Sequence, residues 1–365
     1  MSGPSSAPVA LRDPGQKRLQ RHLGGSWPVI AINVSVLLTA GLSTWLALDW
    51  VVVSAVWPWA DPGRCSAASG ACWPFVLEKA PLILFGTFPF EERWRPALVS
   101  GALFGMSLVT LFQAWHWRWQ ALGWILTISL FGTLMGGGVL GLAKVPSAQW
   151  NGLPVLLFLG AASLACALPT GLVLALARRS TRRWLTYPAI AAIETLRGIP
   201  MVAVLFFGVF VLPLLFSGWS LSPVHAALTV LIVFHGAYVA EDLRSGFQSI
   251  PLGQWDACKG IGLSHWQALR LVILPQVTKA ATPALTNTAI GGFKDTSLIV
   301  LVGLHDLLST AKMSFADPLW QKQALEAYVF VGVIFFVVSR GIAAAGQRLE
   351  RLQQKVSIEV KMQPL

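Results

Sequence analysis

Long apolar runs, separated by short polar segments, dominate this chain of 365 residues. An α-helix needs about 20 apolar residues to cross the hydrocarbon core of a bilayer. The candidate spans lie at residues 28–48, 97–114, 120–143, 152–177, 199–217, 223–240, 280–303 and 325–345. The pattern therefore predicts an all-α integral membrane protein with about eight transmembrane helices.

Composition supports a lipid environment. Charged residues make up 12% of the chain and hydrophobic residues 55%, whereas soluble domains carry about 25% charged residues. These values exclude a disordered chain, a coiled coil, a disulfide scaffold and an ordinary cytosolic enzyme. The run at 28–48 is too long for the apolar region of a signal peptide, so we expect it to remain as the first span.

The net charge of +11 is explained by the enrichment of basic residues in the cytoplasmic segments of membrane proteins. Basic residues concentrate in a tail at 1–27, a link at 178–183 and a second tail at 346–365. An even number of spans puts both tails on one side, and the positive-inside rule places all three segments in the cytoplasm. The charge therefore needs no nucleic-acid partner.

The loop at 49–95 then lies on the opposite side of the membrane and contains Cys65 and Cys72. A disulfide between them is compatible with an oxidising compartment, and two free thiols are the alternative. Further metal ligands are not evident nearby, so we predict no metal site.

A glycine-rich stretch, residues 135–141, contains a literal G-x-G-x-x-G. It lies inside an apolar run and does not follow a strand, which argues against dinucleotide binding. Gly137 and Gly141 also form a GxxxG pair, which predicts close helix packing in lipid. His235 is a lone histidine within a span, where a hydrogen bond between packed helices is the commoner role.

The segment 253–276 carries the most informative pattern. It predicts a short helix, a glycine break and a second short helix capped by Ser264, with Trp266 and Leu269 at helical spacing. The chain contains no G-x-x-x-x-G-K-[ST] phosphate loop and no H-E-x-x-H or G-x-S-x-G motif. A surface helix with exposed apolar residues favours docking into a groove on a cytoplasmic partner.

This segment resembles the EAA loop of ABC importer permeases. In that loop the sequence E-A-A is followed, after three residues, by a glycine, and I-x-L-P comes nine residues after that glycine. Here residues 256–258 read Asp-Ala-Cys, and the glycine and Leu-Pro stand at the family spacing. Asp for Glu and Cys for Ala are departures from the pattern. The resemblance implies contact with a separate ATPase subunit through Gly253, Asp256, Ala257, Gly262, Leu274 and Pro275.

Three flanking motifs resemble those of polar amino acid permeases: E-T-x-R-G-x-P at 194–200, A-Y-x-A-E-x-x-R-G-G at 237–246 and N…K-D-T-S-L at 287–298. The runs 70–73 and 91–96 resemble the M-type permease of general L-amino acid (Aap-type) importers. The resemblance implies a MetI-like, type I importer fold in the bacterial inner membrane. It also implies a sister permease in a heterodimer, an ATPase dimer that uses ATP and Mg²⁺, a periplasmic amino-acid-binding protein, and no cofactor on this chain.

The predicted organisation is a membrane extension at 28–145 and a permease core at 150–345, which includes the loop 253–276. A zwitterionic amino acid needs polar partners near the middle of the membrane. The candidates for its pathway are Glu241, Asn287, Lys294, Asp295, Thr296 and Ser297. In the alternative, these charges pair with one another to hold the helices together. An intramembrane enzyme and a scaffold without transport are the competing functions.

Overall fold

The computed structural model describes residues 27–112, 116–216 and 222–362. Nearly all of the predicted tail 1–27 therefore lies outside the described residues, as do the last three residues of the chain. The main helices are α1 Trp27–Leu48, α2 Trp73–Phe85, α3 Trp94–Leu111, α4 Trp117–Gly136, α5 Leu153–Arg178, α6 Arg183–Gly198, α7 Met201–Phe206, α8 Pro223–Gln248, α9 Leu252–Gly260, α10 Leu274–Asp295, α11 Leu307–Ser314 and α12 Ala324–Met362. The predicted tail at 346–365 is thus mostly a continuation of α12.

The described residues contain six helices that are long and apolar enough to cross a membrane. Two bent pairs bring the number to eight if each is one span, so the prediction of about eight is confirmed. The first pair bends by 113° between α6 and the segment Met201–Leu215. Ile199 has an extended backbone there, because a residue before proline is disfavoured in helical conformation and Pro200 follows it.

The second bend, of 57°, separates the segment His265–Val302 from α11. In that segment α10 continues into a 3-10 helix, Thr296–Val302. Gly303 ends it with φ +81°, a left-handed conformation that glycine adopts without steric cost. The chain thus changes direction near the residues predicted to line the substrate pathway.

The glycine-rich stretch corrects one prediction. α4 ends at Gly136, and Gly137, Gly138 and Gly141 have φ values of +61°, +77° and +73°. A Cβ on Gly137 would collide with the carbonyl of Ala143. These glycines therefore form a tight turn, and the prediction of a GxxxG helix-packing motif is wrong.

The chain divides into two compact units, Met1–Leu77 and Glu78–Leu365. In the first unit, α1 leads through a π-helical turn, Asp49–Val53, into a loop held by backbone hydrogen bonds. The Val56 N–H donates to the carbonyl of Ala71 at 2.8 Å. Cys65 and Cys72 are joined by a disulfide, with 5.5 Å between their Cα atoms. Of the two states that the sequence left open, the structure has the bonded one.

In the second unit, α5 and α8 form the centre of the helix bundle. A Cβ on Gly171 of α5 would collide with Val239 of α8, so glycine here permits the close approach that helices use in lipid. Two clusters of buried apolar residues make up much of the core of this unit. One includes Leu159, Leu205, Leu231 and Ile299, and the other includes Ile193, Leu243, Phe247 and Ile273.

Polar contacts fix the start of the second unit to its later segments. The Lys79 ammonium donates to Asp317 Oδ2 at 3.0 Å. This hydrogen bond raises the pKa of Lys79 and lowers that of Asp317 from their ordinary values. The guanidinium of Arg95 is fully buried, contacts Glu92 Oε1 at 2.8 Å and donates to the carbonyl of Ala143 at 2.9 Å. Arg95 thereby holds the glycine turn against α3.

Candidate functional site

A cavity of about 610 Å³ lies between the α6–α7 bend, α8 and α10. The bend brings the backbone of Gly198, Ile199 and Pro200 to the cavity wall. The side chains that line it are Arg197, Met201, Phe234, His235, Tyr238, Asn287, Thr288 and Asp295. The cavity therefore combines aromatic walls with one guanidinium, one carboxylate and neutral hydrogen-bonding groups.

His235 and Asp295 form the contact between α8 and α10 at this cavity. His235 Nε2 lies 3.3 Å from Asp295 Oδ2, and the histidine side chain is 3% exposed. Its Nδ1 is buried and has no hydrogen-bond partner among the described residues. Gly292 lies against the ring, since a Cβ there would be 3.2 Å from it. His235 thus both joins two helices and presents its ring to the cavity.

A second link between the same helices involves Asp242, one residue beyond Glu241. Thr288 Oγ1 donates to Asp242 Oδ2 at 2.6 Å. Thr288 also lines the cavity next to Asn287. The two links hold the polar face of α10 against α8, so a displacement of α10 would change the cavity wall.

An ion-pair network, here called the arginine cluster, lies beside the cavity and joins α5, α6 and α8. Arg244 Nε donates to Glu241 Oε1 at 2.9 Å, while Arg178 and Arg197 approach Glu241 Oε2 at 3.3 and 3.6 Å. Arg178 also contacts Glu194 at 3.2 Å. Three guanidinium groups thus share two carboxylates, and Glu241 is the central one.

Arg197 belongs to both the arginine cluster and the cavity lining. Its guanidinium lies 5.5 Å from the centroid of the Tyr238 ring, within the range of a cation–π contact. Its side chain is 35% exposed, so the cation is held in place and remains accessible. The cavity lining therefore contains a cationic side chain, Arg197, as well as the anionic Asp295.

The loop 253–276 has a packed side and an exposed apolar side. Gly262 has φ +80° between α9 and the next helical turn. The Ser264 hydroxyl accepts from the Gln267 N–H, and the Gln267 side chain accepts from the Ser264 N–H, which forms a capping box. Leu269 and Ile273 are buried in the cluster that includes α8. The break and the cap match the helix–glycine–helix arrangement that the spacing predicts.

The exposed side of this loop presents large apolar side chains. The exposed fractions of Leu252, Ile261 and Trp266 are 82%, 76% and 71%. Gly253, Ala257 and Asp256 are exposed as well, and Asp256 Oδ1 lies 3.6 Å from the Lys259 ammonium. Leu274 and Pro275 begin α10, where a proline suits the first turn because its missing N–H would have no helical partner.

Residues 167–351 match the profile of the family described as "Binding-protein-dependent transport system inner membrane component". The chain belongs to this family. It is therefore a multi-pass permease subunit of an ABC importer in the inner membrane, and it is not an enzyme. ABC importers of this type work with ATPase and substrate-binding-protein partners, as the resemblance implied.

The permease is 34% identical to the inner membrane amino-acid ABC transporter permease protein YhdY of Escherichia coli K12, over 91% of each chain. It is 26% identical to the glutamate/glutamine/aspartate/asparagine transport system permease protein BztC of Rhodobacter capsulatus, over 96% of each chain. A solved structure entitled "Crystal structure of an amino acid ABC transporter with histidines" matches 54% of this chain and 89% of that chain, at 28% identity and a TM-score of 0.48.

The structure separates the six predicted pathway residues of the permease. Asn287 and Asp295 line the cavity, whereas Glu241 lies in the arginine cluster. Thr296 is buried and donates to the carbonyl of Phe293 at 2.6 Å. Ser297 donates to the carbonyl of Lys294 at 2.8 Å, and Lys294 is exposed outside the cavity lining. The K-D-T-S stretch thus contributes one side chain to the cavity of this permease.

Sequence reasoning did not assign Arg197, His235, Tyr238 or Thr288 to the cavity of the permease. The sequence spacing could have indicated some of them, because residues three or four apart share one face of a helix. His235 and Tyr238 are three residues apart, and Asn287, Gly291 and Asp295 are spaced by four. Arg197 could be placed only with knowledge of the bend that follows it. Within the described residues, no group of three or more His, Cys, Asp or Glu side chains is arranged to hold a metal ion.

Proposed function

We propose that this permease carries L-amino acids through the cavity between α6, α8 and α10. The observation that supports this most directly is that Arg197 of α6 and Asp295 of α10 line the same cavity. An amino acid presents a carboxylate and an ammonium, so each group has a partner of opposite charge there. The relatives are named as amino-acid permeases, which agrees with this cargo.

Each charged group of the cavity lining has a protein partner in this structure. Asp295 contacts His235, and Arg197 contacts Glu241 at 3.6 Å. These contacts lower the cost of holding charges within the membrane before substrate arrives. A bound amino acid would replace these partners, with its ammonium at Asp295 and its carboxylate at Arg197. Because the protein partners can return when the substrate leaves, binding is reversible, as transport requires.

The energy for transport is proposed to enter through the loop 253–276. The chain has no phosphate-binding loop, so an ATPase must act in trans. The exposed Leu252, Ile261 and Trp266 would fit a groove on a cytoplasmic ATPase subunit. The loop continues into α10, whose 22 residues extend for about 33 Å. A displacement of the loop would therefore reach Asp295 through one continuous helix.

The proposed assembly contains this chain and a sister permease as a heterodimer, an ATPase dimer that binds ATP and Mg²⁺, and a periplasmic binding protein. Its orientation places both ends of the chain and the loop 253–276 in the cytoplasm. Support for the heterodimer comes from the resemblance to Aap-type systems. Native mass spectrometry of the purified assembly tests it, because one copy of this chain per two permease subunits is expected and two copies would contradict the proposal.

Transport is tested with vesicles that contain the whole assembly, the binding protein and internal ATP. We expect ATP-dependent uptake of L-amino acids by the wild type and a loss of at least tenfold in Asp295→Asn. Asp61→Asn is the matched control, because Asp61 is an exposed turn residue and asparagine can cap the same turn. Wild-type uptake by Asp295→Asn, with the assembly intact, would contradict the proposed pathway.

A further inference from the structure

A second cavity, about 510 Å³ in volume, lies on another side of the bundle. It is a groove between α3 and α4 of the extension and α5, α10 and α12 of the core. Its wall is almost wholly apolar, and it includes Phe104, Leu108, Trp124, Leu164, Phe293, Val337 and Ile342. We call it the extension groove. The transport pathway described above uses none of its side chains.

The extension groove has the dimensions of one bilayer leaflet. On α5 its lining extends from Leu157 to Leu168, which corresponds to about 17 Å of helix. Half the hydrocarbon core of a bilayer is about 15 Å. The groove can therefore accommodate the length of one lipid chain that lies parallel to the helices.

The lining of the groove suits hydrocarbon in chemistry as well as length. Trp124 Nε1 donates to Thr110 Oγ1 at 2.8 Å, and Thr110 donates to the carbonyl of Met106 at 2.9 Å. These polar groups thus satisfy one another and require no water. At Gly341, a Cβ would meet no atom within 4 Å, so the groove is open at its α12 wall.

One end of the extension groove carries a positive charge. Leu111 and Phe112 line both the groove and an adjoining pocket of about 90 Å³, which is also lined by Arg348. The Arg348 guanidinium lies 5.9 Å from the centroid of the Phe112 ring and is exposed. An apolar groove that ends at an arginine is complementary to a lipid with an anionic head group.

We propose that the extension groove binds one acyl chain of an anionic phospholipid, whose phosphate contacts Arg348. The occupant is a lipid because the described residues of the groove form an apolar wall as long as one leaflet, and Arg348 supplies a cation at its end. A lipid in this position would contact α3, α5 and α12 together. It would therefore join the extension to the permease core, independently of whether the other cavity carries amino acids.

Two variants separate the chain contact from the head-group contact. Gly341→Leu fills the groove, and Gly332→Leu is its matched control, because Gly332 is on the same helix, also has open space around its Cβ and does not line the groove. Arg348→Gln removes the cation. Arg183→Gln is the control for charge, since Arg183 is exposed at the start of α6 and lines neither pocket.

The complete assembly is reconstituted in vesicles of equal phosphatidylglycerol and phosphatidylethanolamine, extracted, and examined by native mass spectrometry. We expect the wild type and both controls to retain phosphatidylglycerol with about fivefold preference, the contribution of one basic residue at an anionic surface. Arg348→Gln should retain both lipids equally, and Gly341→Leu should retain neither. A wild type without preference, or equal retention by Gly341→Leu and Gly332→Leu, would overturn the proposal. Retention of neither lipid by the wild type would show that protein fills the groove and would also overturn it.

Discussion

Glu241 is the central carboxylate of the arginine cluster, so its neutralisation has a calculable cost. Its side chain is 19% exposed and contacts Arg178, Arg197 and Arg244. Exposed ion pairs contribute about 0–1 kcal/mol, while breaking a buried pair costs about 3–5 kcal/mol. For this partly buried group we expect Glu241→Gln to destabilise the permease by about 2 kcal/mol.

The matched control is Glu194→Gln, which makes the same change at the edge of the cluster. Glu194 is 58% exposed, and within the described part of the chain its ion-pair partner is Arg178. Its loss should cost less than about 1 kcal/mol. For a chain of this size, a loss of 1 kcal/mol lowers the unfolding temperature by about 2 °C. The unfolding temperature of the purified assembly should therefore fall by about 4 °C in Glu241→Gln and by less than about 2 °C in Glu194→Gln.

The same pair of variants distinguishes a structural role of Glu241 from contact with substrate. A structural role predicts that the KM for amino acid uptake does not increase in the protein that remains folded, because Glu241→Gln removes a competitor for Arg197 and no contact with substrate. If Glu241→Gln and Glu194→Gln unfold at the same temperature, the central position of Glu241 in the arginine cluster is refuted. A large increase in KM with unchanged thermal stability would place Glu241 on the pathway instead.

Three further predictions concern the extension, its attachment and the coupling loop. Gly137→Ala should destabilise the permease by about 1–3 kcal/mol because of its positive φ, whereas Gly136→Ala at the end of α4 should not; unfolding temperatures measure both. The contact between Lys79 and Asp317 should stabilise the protein at neutral pH, and this contribution should fade as the pH falls below the ordinary Asp317 pKa of 3.8 toward its lowered value in the folded protein. Asp317→Asn should therefore lower the unfolding temperature more at pH 7 than at pH 3. Gly262→Ala should reduce uptake several-fold while the ATPase still copurifies, because φ +80° is unfavourable for alanine.

Each of these three predictions has an outcome that would contradict it. Equal unfolding temperatures for Gly137→Ala and Gly136→Ala would refute the turn at the end of α4. An effect of Asp317→Asn that is the same at both pH values would show that its charge is not responsible. Normal uptake by Gly262→Ala would remove the glycine break from the coupling mechanism.

Apolar run length and motif spacing predicted the spans and the helix–glycine–helix arrangement of the loop 253–276, because both depend on local sequence. The 113° bend was not predicted. Because α6 contains Glu194 and Arg197, it was not recognised as an apolar run that belongs to the same span as the segment after it. The turn at Gly137 was mistaken for helix packing, because hydropathy does not report the sign of φ. Arg197 and His235 reach the cavity only through that bend and the packing of α8 on α10, which are tertiary features.

A substrate-bound structure of the complete assembly would show whether an amino acid binds between Arg197 and Asp295. We expect ligand density in the cavity of about 610 Å³, with the substrate carboxylate beside Arg197 and its ammonium beside Asp295. Substrate density in this subunit at any other position, with Asp295 still in contact with His235, would contradict it.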